Sequence, residues 1–253
     1  MVTLRQAIIL GIIQGITEWL PISSSGHLVL ASEFLQLDNS VGFNVFLHLA
    51  SFFVILFYFR KELFELITGV LNKKKESINY TLYLGIASVP IAVTGFLLNN
   101  TLKEMFDSTL SVGISLIITS ILLFFSRYPI KKSENISLKN SLVIGFFQAI
   151  AIFPGISRSG STISGAMILG INRKKAARLS FLLAIPAIVG ANLLKITEIL
   201  QLDNFNIVII GMFTAVTTGY LSLSLLMKII EKNRFSYFSI YCLILGVITL
   251  LFL

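Results

Sequence analysis

Residues 18–27 read Glu-Trp-Leu-Pro-Ile-Ser-Ser-Ser-Gly-His, a polar segment that interrupts the apolar stretch 6–37. A second polar segment, residues 154–162, reads Pro-Gly-Ile-Ser-Arg-Ser-Gly-Ser-Thr and interrupts the apolar stretch 140–171. Irregular backbone at membrane depth is tolerated only where protein buries it or water reaches it. The two breaks therefore predict helix–break–helix segments whose polar tips lie inside the protein.

The composition places the rest of the chain in a membrane. Its 253 residues are 55% hydrophobic and 13% charged, with a mean hydropathy of +0.89, whereas soluble domains carry about 25% charged residues. The net charge of +8 is assigned to basic loops beside anionic lipid headgroups, and nucleic acid is excluded as a partner. A spanning helix needs roughly 20 apolar residues. Six stretches are predicted to span the bilayer, the last of them short: 41–59, 80–98, 109–126, 179–199, 206–228 and 237–253.

The two interrupted stretches look like copies of each other. Gly145 and Gln148 lie 134 residues after Gly11 and Gln14. The same offset relates the hydroxyl and glycine positions of the breaks, which are Ser23, Ser25 and Gly26 in the first and Ser157, Ser159 and Gly160 in the second. This pattern predicts an internal duplication within one membrane domain, with repeat 1 at residues 1–130 and repeat 2 at residues 131–253.

The distribution of positive charge predicts the topology. Sixteen of the 20 Lys and Arg residues lie in the segments 60–75, 127–139, 173–178 and 228–234, and such segments face the cytoplasm. The second and third segments share a side only if the stretch between them enters and returns without crossing. The stretch 140–171 is therefore predicted to be a re-entrant hairpin, and the internal duplication predicts the same of 6–37. Because three spans separate them, they enter from opposite sides as an inverted-topology repeat, with both termini external.

Three ionisable residues lie at the breaks: Glu18, His27 and Arg158. Such residues cost about 2.5–3.5 kcal/mol at membrane depth on insertion scales, which makes a function the first hypothesis. A purely structural Glu18–Arg158 ion pair is the alternative, but it does not account for the many hydroxyls and glycines beside these residues. Helix N-termini, glycine-rich turns and a guanidinium group all bind anions, so the breaks predict a phosphate site.

Chemistry at such a site needs a nucleophile, and the sequence leaves two open: a serine hydroxyl or a metal-bound water. His27 follows Ser24 by three residues, about one helical turn, and is expected to act as a general base or acid. Gln14 and Glu18 share a helix face. A carboxylate and an amide oxygen suit a hard cation, Mg²⁺ or Ca²⁺, that bridges phosphate oxygens.

Other notable residues are expected to serve packing. His48 lies within the first predicted span without polar residues around it, so we interpret it as a hydrogen-bonded core residue. Trp19 is expected to face lipid or to pack. Gly11, Gly145 and Gly170 are expected to let helices approach closely.

Residues 14–27, Gln-Gly-Ile-Thr-Glu-Trp-Leu-Pro-Ile-Ser-Ser-Ser-Gly-His, and residues 154–162 closely resemble the two signatures of the undecaprenyl-diphosphate phosphatase family, also called the bacitracin-resistance family. The resemblance extends over the length and the span pattern of the chain. It implies an enzyme of the plasma membrane that recycles a lipid carrier by converting a polyprenyl diphosphate to the monophosphate. It also implies six spans with two re-entrant hairpins, a site that opens outward, and a divalent cation. The oligomeric state, including a homodimer, is left open.

The resemblance also assigns roles to residues. Glu18 matches the essential motif glutamate, Ser24 the proposed nucleophile with Ser23 beside it, and His27 the motif histidine of proton transfer. The residues that match the diphosphate-binding positions are Ser157, Arg158 and Thr162, and we add Ser25 and Ser159 from the same breaks. Two positions depart from the family pattern: Gln14 stands where Glu is frequent, which weakens a metal role, and Ser25 stands where Thr is common.

Two other functions share features of this pattern. The acid-phosphatase-like lipid phosphatases need a further histidine after their Ser-Arg pair, and no histidine follows Arg158, so they are rejected. A transporter or flippase of polyprenyl phosphates stays open, because inverted repeats with broken helices are typical of transporters.

Overall fold

The computed structural model describes residues 2–37, 41–98, 101, 105, 108–130, 136–194 and 205–252, and these ranges contain helices and no strands. The helices are α1 (Leu4–Trp19), α2 (Ser24–Phe34), α3 (Val41–Tyr58), α4 (Arg60–Leu71), α5 (Lys75–Leu97), α6 (Thr109–Phe125), α7 (Leu138–Ile150), α8 (Arg158–Ile168), α9 (Arg173–Leu194), α10 (Phe205–Glu231) and α11 (Phe238–Phe252), with a 3₁₀ turn at Phe235–Tyr237. Residues 195–199 of the fourth predicted span and the terminal residue 253 lie outside the described residues.

The helices are those of a multi-pass membrane protein, as the composition predicted. Within the described ranges, α5, α9, α10 and α11 are long and apolar enough to cross a membrane. A fifth crossing results if α3 and α4, which are bent by 76° at Phe59, count as one broken span. Helices α6 and α7 are apolar but shorter.

Both interrupted stretches form two helices joined by a break, at residues 20–23 and at residues 151–157. The second break is therefore earlier than predicted, because Arg158 already begins α8. The starts of α1 and α7, the starts of α2 and α8, and the ends of α2 and α8 all differ by 134 residues. The side chains that cap the four helix starts also correspond, since each accepts a hydrogen bond from a backbone N–H three residues later: Thr3, Ser23, Ser137 and Ser157.

Residues that flank each helix pair share contacts. In the second pair, the carbonyl oxygen of Ile168 at the end of α8 accepts a hydrogen bond from the Ile130 amide, 2.8 Å away and eight residues before α7. In the first pair, Val2 packs against the same apolar cluster as Leu35 and Leu37, which follow α2.

The first helix of each pair packs along a long helix of the other half. Helix α1 lies against α10, where a Cβ on Gly11 would be 2.5 Å from the carbonyl oxygen of Gly211. Helix α7 lies against α5, where a Cβ on Gly145 would be 2.7 Å from the carbonyl oxygen of Ala87. The packing roles of Gly11 and Gly145 are confirmed. The role predicted for Gly170 is wrong: its φ of +86° forms the turn that ends α8.

Ion pairs join basic segments at one end of the bundle. Arg178 of α9 contacts Glu62 of α4 at 3.0 Å, and Lys174 contacts Glu231 at the end of α10 at 2.8 Å. These contacts bring together the basic segments 60–75, 173–178 and 228–234. The hydrogen bond between Ile130 and Ile168 adds the described part of the remaining basic segment, 127–139, to the same end. Exposed ion pairs contribute about 0–1 kcal/mol each to stability. These pairs therefore show which basic segments are neighbours, but they add little to the stability of the fold.

The tips of the two helix pairs meet in the interior. The Gly155 amide donates to Ser25 Oγ at 3.4 Å, and a Cβ on Gly26 would lie 3.0 Å from the Gly155 Cα. Thr119 of α6 fixes the second tip, since its Oγ1 accepts from the Ser157 amide and donates to the Gly155 carbonyl oxygen, both at 3.0 Å. Gly155 has a φ of +94°, and this conformation is accessible to glycine at little cost. The meeting of the tips brings the two sequence motifs into one site.

Candidate active site

The carboxylate of Glu18 is the centre of the polar cluster at the tips. Glu18 ends the last turn of α1 and is buried. Its Oε1 accepts a hydrogen bond from Arg158 Nη2 of the other helix pair, and its Oε2 accepts one from Ser24 Oγ at 2.5 Å. A buried charge needs a partner and hydrogen bonds, and Glu18 obtains both from residues 6 and 140 positions away.

Arg158 has one half of its guanidinium group available. The side chain is 14% exposed and its Nη2 is engaged by Glu18. Its Nη1 is buried and has no hydrogen-bond partner among the described residues. A buried, unsatisfied donor costs about 1–3 kcal/mol, which a ligand with acceptor oxygens would recover. Arg158 therefore offers an N–H group to an anion while it holds the carboxylate.

Ser24 stands in the first turn of α2 with its hydroxyl directed at Glu18. The residue before it, Ser23, has φ 71° and ψ 99°, outside the regions that residues with a Cβ prefer. Such outliers cost about 1–3 kcal/mol and concentrate at functional sites. The strained turn at Ser23 reverses the chain between α1 and α2, and this reversal brings Ser24 back onto Glu18.

The interpretation of His48 as a core residue is wrong. Its side chain is 33% exposed, and its Nδ1 lies 3.1 Å from Gln14 Nε2 and 3.5 Å from Glu18 Oε2. Gln14 Nε2 also lies 3.1 Å from Glu18 Oε2 and 3.2 Å from Ser51 Oγ. Helix α3 thus supplies two residues to the site. The signal in the sequence was an ionisable residue inside an apolar span, which is a reason to suspect function.

His27 does not contact Ser24 as the spacing suggested. Its Nδ1 lies 2.7 Å from the Ser23 carbonyl oxygen, and its Nε2 lies 2.7 Å from the hydroxyl of Tyr241 in α11. The two rings are stacked, with centroids 5.8 Å apart. The hydrogen-bond partner of the Ser24 hydroxyl is therefore Glu18, and His27 faces α11 instead.

The remaining hydroxyls predicted to bind substrate are already engaged. Ser23 and Ser157 cap helices, and Ser25 bonds the opposite tip. Ser159 Oγ lies 3.4 Å from the Glu18 carbonyl oxygen. Thr162 bonds Ser180 of α9 at 2.5 Å and the Arg158 carbonyl at 2.8 Å. These residues shape the tips around Glu18 and Arg158. Trp19 is fully buried against Phe181 and therefore serves packing.

The donors near Glu18 fit a hard cation that the substrate helps to hold. Across the described part of the chain, no group of three or more His, Cys, Asp or Glu side chains forms a complete metal site. Gln14 Oε1 is buried without a hydrogen-bond partner among those same residues, while Nε2 of the same amide faces the Glu18 carboxylate at 3.1 Å. Mg²⁺ usually binds one or two carboxylates plus phosphate oxygens and water, and Glu18 would fit that mode if the amide turned its oxygen toward the carboxylate.

Comparison with known proteins gives a consistent result over the whole chain. The family described as bacitracin resistance protein BacA matches residues 7–248. An undecaprenyl-diphosphatase of Methanosphaera stadtmanae is 38% identical, with 99% of this chain and 98% of the relative covered. Proteins of the same name from Thermosipho africanus and Korarchaeum cryptofilum are 40% and 38% identical, with 95% and 96% of this chain and 97% of each relative covered. The residues that the family matches include the whole polar cluster and both helix pairs except the first three residues of α1.

Proposed function

The chain belongs to the bacitracin resistance protein BacA family, and we infer that it removes the terminal phosphate of an undecaprenyl-type polyprenyl diphosphate. The products are the monophosphate lipid carrier and inorganic phosphate, so the reaction recycles the carrier. The family predicted from the two motifs is confirmed by the relatives named undecaprenyl-diphosphatase. The observation that carries the proposal is the buried carboxylate of Glu18, which binds a hydroxyl from its own tip and a guanidinium from the other.

The first step is capture of the headgroup. The free Nη1 of Arg158 donates to an oxygen of the terminal phosphate, and a guanidinium binds two phosphate oxygens when its second nitrogen joins. When the guanidinium group of Arg158 binds the phosphate in this way, Glu18 loses its hydrogen-bond partner at Oε1. The carboxylate is then a better proton acceptor for the hydroxyl at Oε2. Binding of the diphosphate thereby prepares the nucleophile.

Ser24 is the nucleophile that this geometry favours over water. Its Oγ transfers the proton to Glu18 Oε2, 2.5 Å away, and attacks the terminal phosphorus. The P–O bond to the bridging oxygen breaks, and the lipid leaves as the monophosphate. Water then attacks the phosphoserine, Glu18 returns its proton to Ser24 Oγ, and inorganic phosphate leaves with one proton of the water released. Covalent catalysis lowers the barrier by dividing one difficult displacement into two easier ones.

A divalent cation, Mg²⁺ or Ca²⁺, completes the proposed site. Glu18 and the amide oxygen of Gln14 would hold it. When bound, such a cation neutralises charge on the diphosphate oxygens. The unsatisfied Gln14 Oε1 supports this assignment.

The topology that we propose has six spans and two re-entrant hairpins, α1–α2 and α7–α8, in an inverted repeat. The 134-residue offset of helix bounds, the Ile130–Ile168 contact between residues that flank the second hairpin, and the reciprocal packing of α1 on α10 and α7 on α5 support it. With the basic end in the cytoplasm, both termini and the opening of the site face the outside of the plasma membrane.

Release of phosphate by purified protein in detergent tests the function. We expect undecaprenyl diphosphate to yield one inorganic phosphate in a buffer that contains Mg²⁺. A chelator should stop the release and added Mg²⁺ or Ca²⁺ should restore it. Phosphatase activity needs no sealed membrane, whereas transport does. Lipid exchange across vesicles without any phosphate release in detergent would contradict the phosphatase and favour the transporter.

A further inference from the structure

Tyr241 contacts the motif histidine from the last helix of the chain. Its hydroxyl lies 2.7 Å from His27 Nε2, and its ring stacks on the imidazole at an interplanar angle of 7°. The two residues are 214 positions apart, and no sequence motif includes Tyr241. The contact therefore arises only when α11 packs beside the first hairpin.

The hydrogen bonds of His27 define which ring nitrogen carries the proton. The Ser23 carbonyl oxygen, 2.7 Å from Nδ1, is only an acceptor, so Nδ1 must be the protonated nitrogen. In the neutral ring Nε2 is then unprotonated and accepts the hydroxyl proton of Tyr241. The carbonyl and the phenol thus hold one tautomer and one ring orientation.

The position of Tyr241 is fixed by its neighbours in α11. Two residues before it, the Ser239 carbonyl oxygen accepts a hydrogen bond from Ser120 of α6 at 2.8 Å. One residue after it, Cys242 Sγ lies 3.6 Å from the Pro21 carbonyl oxygen in the first tip. These contacts attach α11 to α6 and to the break that precedes Ser24. The phenol is consequently aligned with the same tip that carries the nucleophile.

We propose that Tyr241 is a positioning residue for the phosphatase reaction: through His27 it holds the Ser23 carbonyl, and with it the turn that presents Ser24 to Glu18. This inference rests on the proposed function. The imidazole is held at both nitrogens, by the Ser23 carbonyl at Nδ1 and by the phenol at Nε2. Without the phenol the ring can rotate away from the carbonyl, and the strained turn at Ser23, φ 71°, loses a support next to the nucleophile.

A double-mutant cycle between Tyr241 and His27 tests the inference. Tyr241→Phe keeps the ring stack and removes only the hydroxyl. We expect kcat for phosphate release to fall about 10-fold, the equivalent of one hydrogen bond of about 1.4 kcal/mol, with KM unchanged. In a His27→Ala background, the same Tyr241→Phe change should have no further effect, because its only target is gone. Tyr237→Phe, at a 65% exposed position in the turn before α11, is the matched control and should match the wild type.

The outcomes separate the two claims. If the wild-type protein releases no phosphate, the proposed function fails. If it does, and Tyr241→Phe has the wild-type kcat, the positioning role is overturned. The role is also overturned if Tyr241→Phe lowers kcat equally with and without His27, since the phenol would then act through another residue. Thermal unfolding of each variant in detergent checks that the variant is folded, so that the kcat values compared are those of folded proteins.

Discussion

Replacement of Arg158 by alanine is expected to lower kcat/KM for phosphate release by at least about 10³-fold. Removal of one donor that stabilises developing charge in a transition state reduces rates by about 10²–10³, and Arg158 also binds the ground-state phosphate in our account. Arg158→Lys should recover only part of the loss, because a lysine keeps the charge but not the planar fork that binds two oxygens. Phosphate release over a range of lipid concentrations measures both effects.

Loss of Arg158 also leaves the Glu18 carboxylate buried without a partner. Breaking a buried ion pair by removal of one member costs about 3–5 kcal/mol, so Arg158→Ala should lower the unfolding temperature. Adding Glu18→Gln removes the uncompensated charge. We expect the double variant to regain stability and to remain inactive, which separates folding from catalysis. Arg178→Ala, which breaks an exposed pair with Glu62, is the matched control. An Arg158→Ala protein with activity near that of the wild type would contradict the assignment.

Replacement of Ser24 by alanine is expected to lower kcat by about 10⁴-fold or more, as removal of a covalent nucleophile does in serine enzymes. The hydroxyl lies 2.5 Å from Glu18 Oε2, and no other group on the first tip is so placed in the described structure. KM should change little, because phosphate capture depends on Arg158. Ser88→Ala, which removes a hydroxyl bonded to the Leu84 carbonyl of α5, should leave kcat unchanged.

Trapping of the intermediate gives a second readout of Ser24. With substrate labelled in the terminal phosphate, rapid denaturation should recover label on the wild-type protein and none on Ser24→Ala. Full activity of Ser24→Ala, or label that persists on that variant, would show that water or another group attacks phosphorus. The Glu18–Ser24 contact would then serve only to hold the tip.

The sequence predicted the parts of the site that have local signals. The sequence predicts a helix after each break, and Ser23 and Ser157 cap these helices, which begin within the predicted breaks. The 134-residue offset of the repeated residues is also the offset between the starts of α1 and α7 and between the bounds of α2 and α8. The ion pair of Glu18 with Arg158, the structural alternative to a function, forms the centre of the site.

The parts that the sequence did not predict depend on how helices pack. His48 joins Gln14, 34 residues away, only because α3 lies beside α1. The partner of His27 was expected one helical turn away at Ser24, but the ring instead turns toward Tyr241 of α11. An apolar span shows no sign of which face meets a polar cluster. Tyr241 is therefore recognised only after the fold is known, whereas His48 carried the general signal of an ionisable residue inside a span but no sign of its partners.

A disulfide between the two tips tests the central claim, that they meet inside the membrane to form one site. A Cβ on Gly160 would lie 3.4 Å from the Cβ of Pro21, close to the spacing of about 3.5–4.5 Å in disulfides. In a Cys242→Ser background, Pro21→Cys combined with Gly160→Cys should oxidise to an intramolecular disulfide, and neither single cysteine should do so. Two free thiols after oxidation, in a protein that still unfolds cooperatively, would mean that the tips are apart and that the proposed site does not exist.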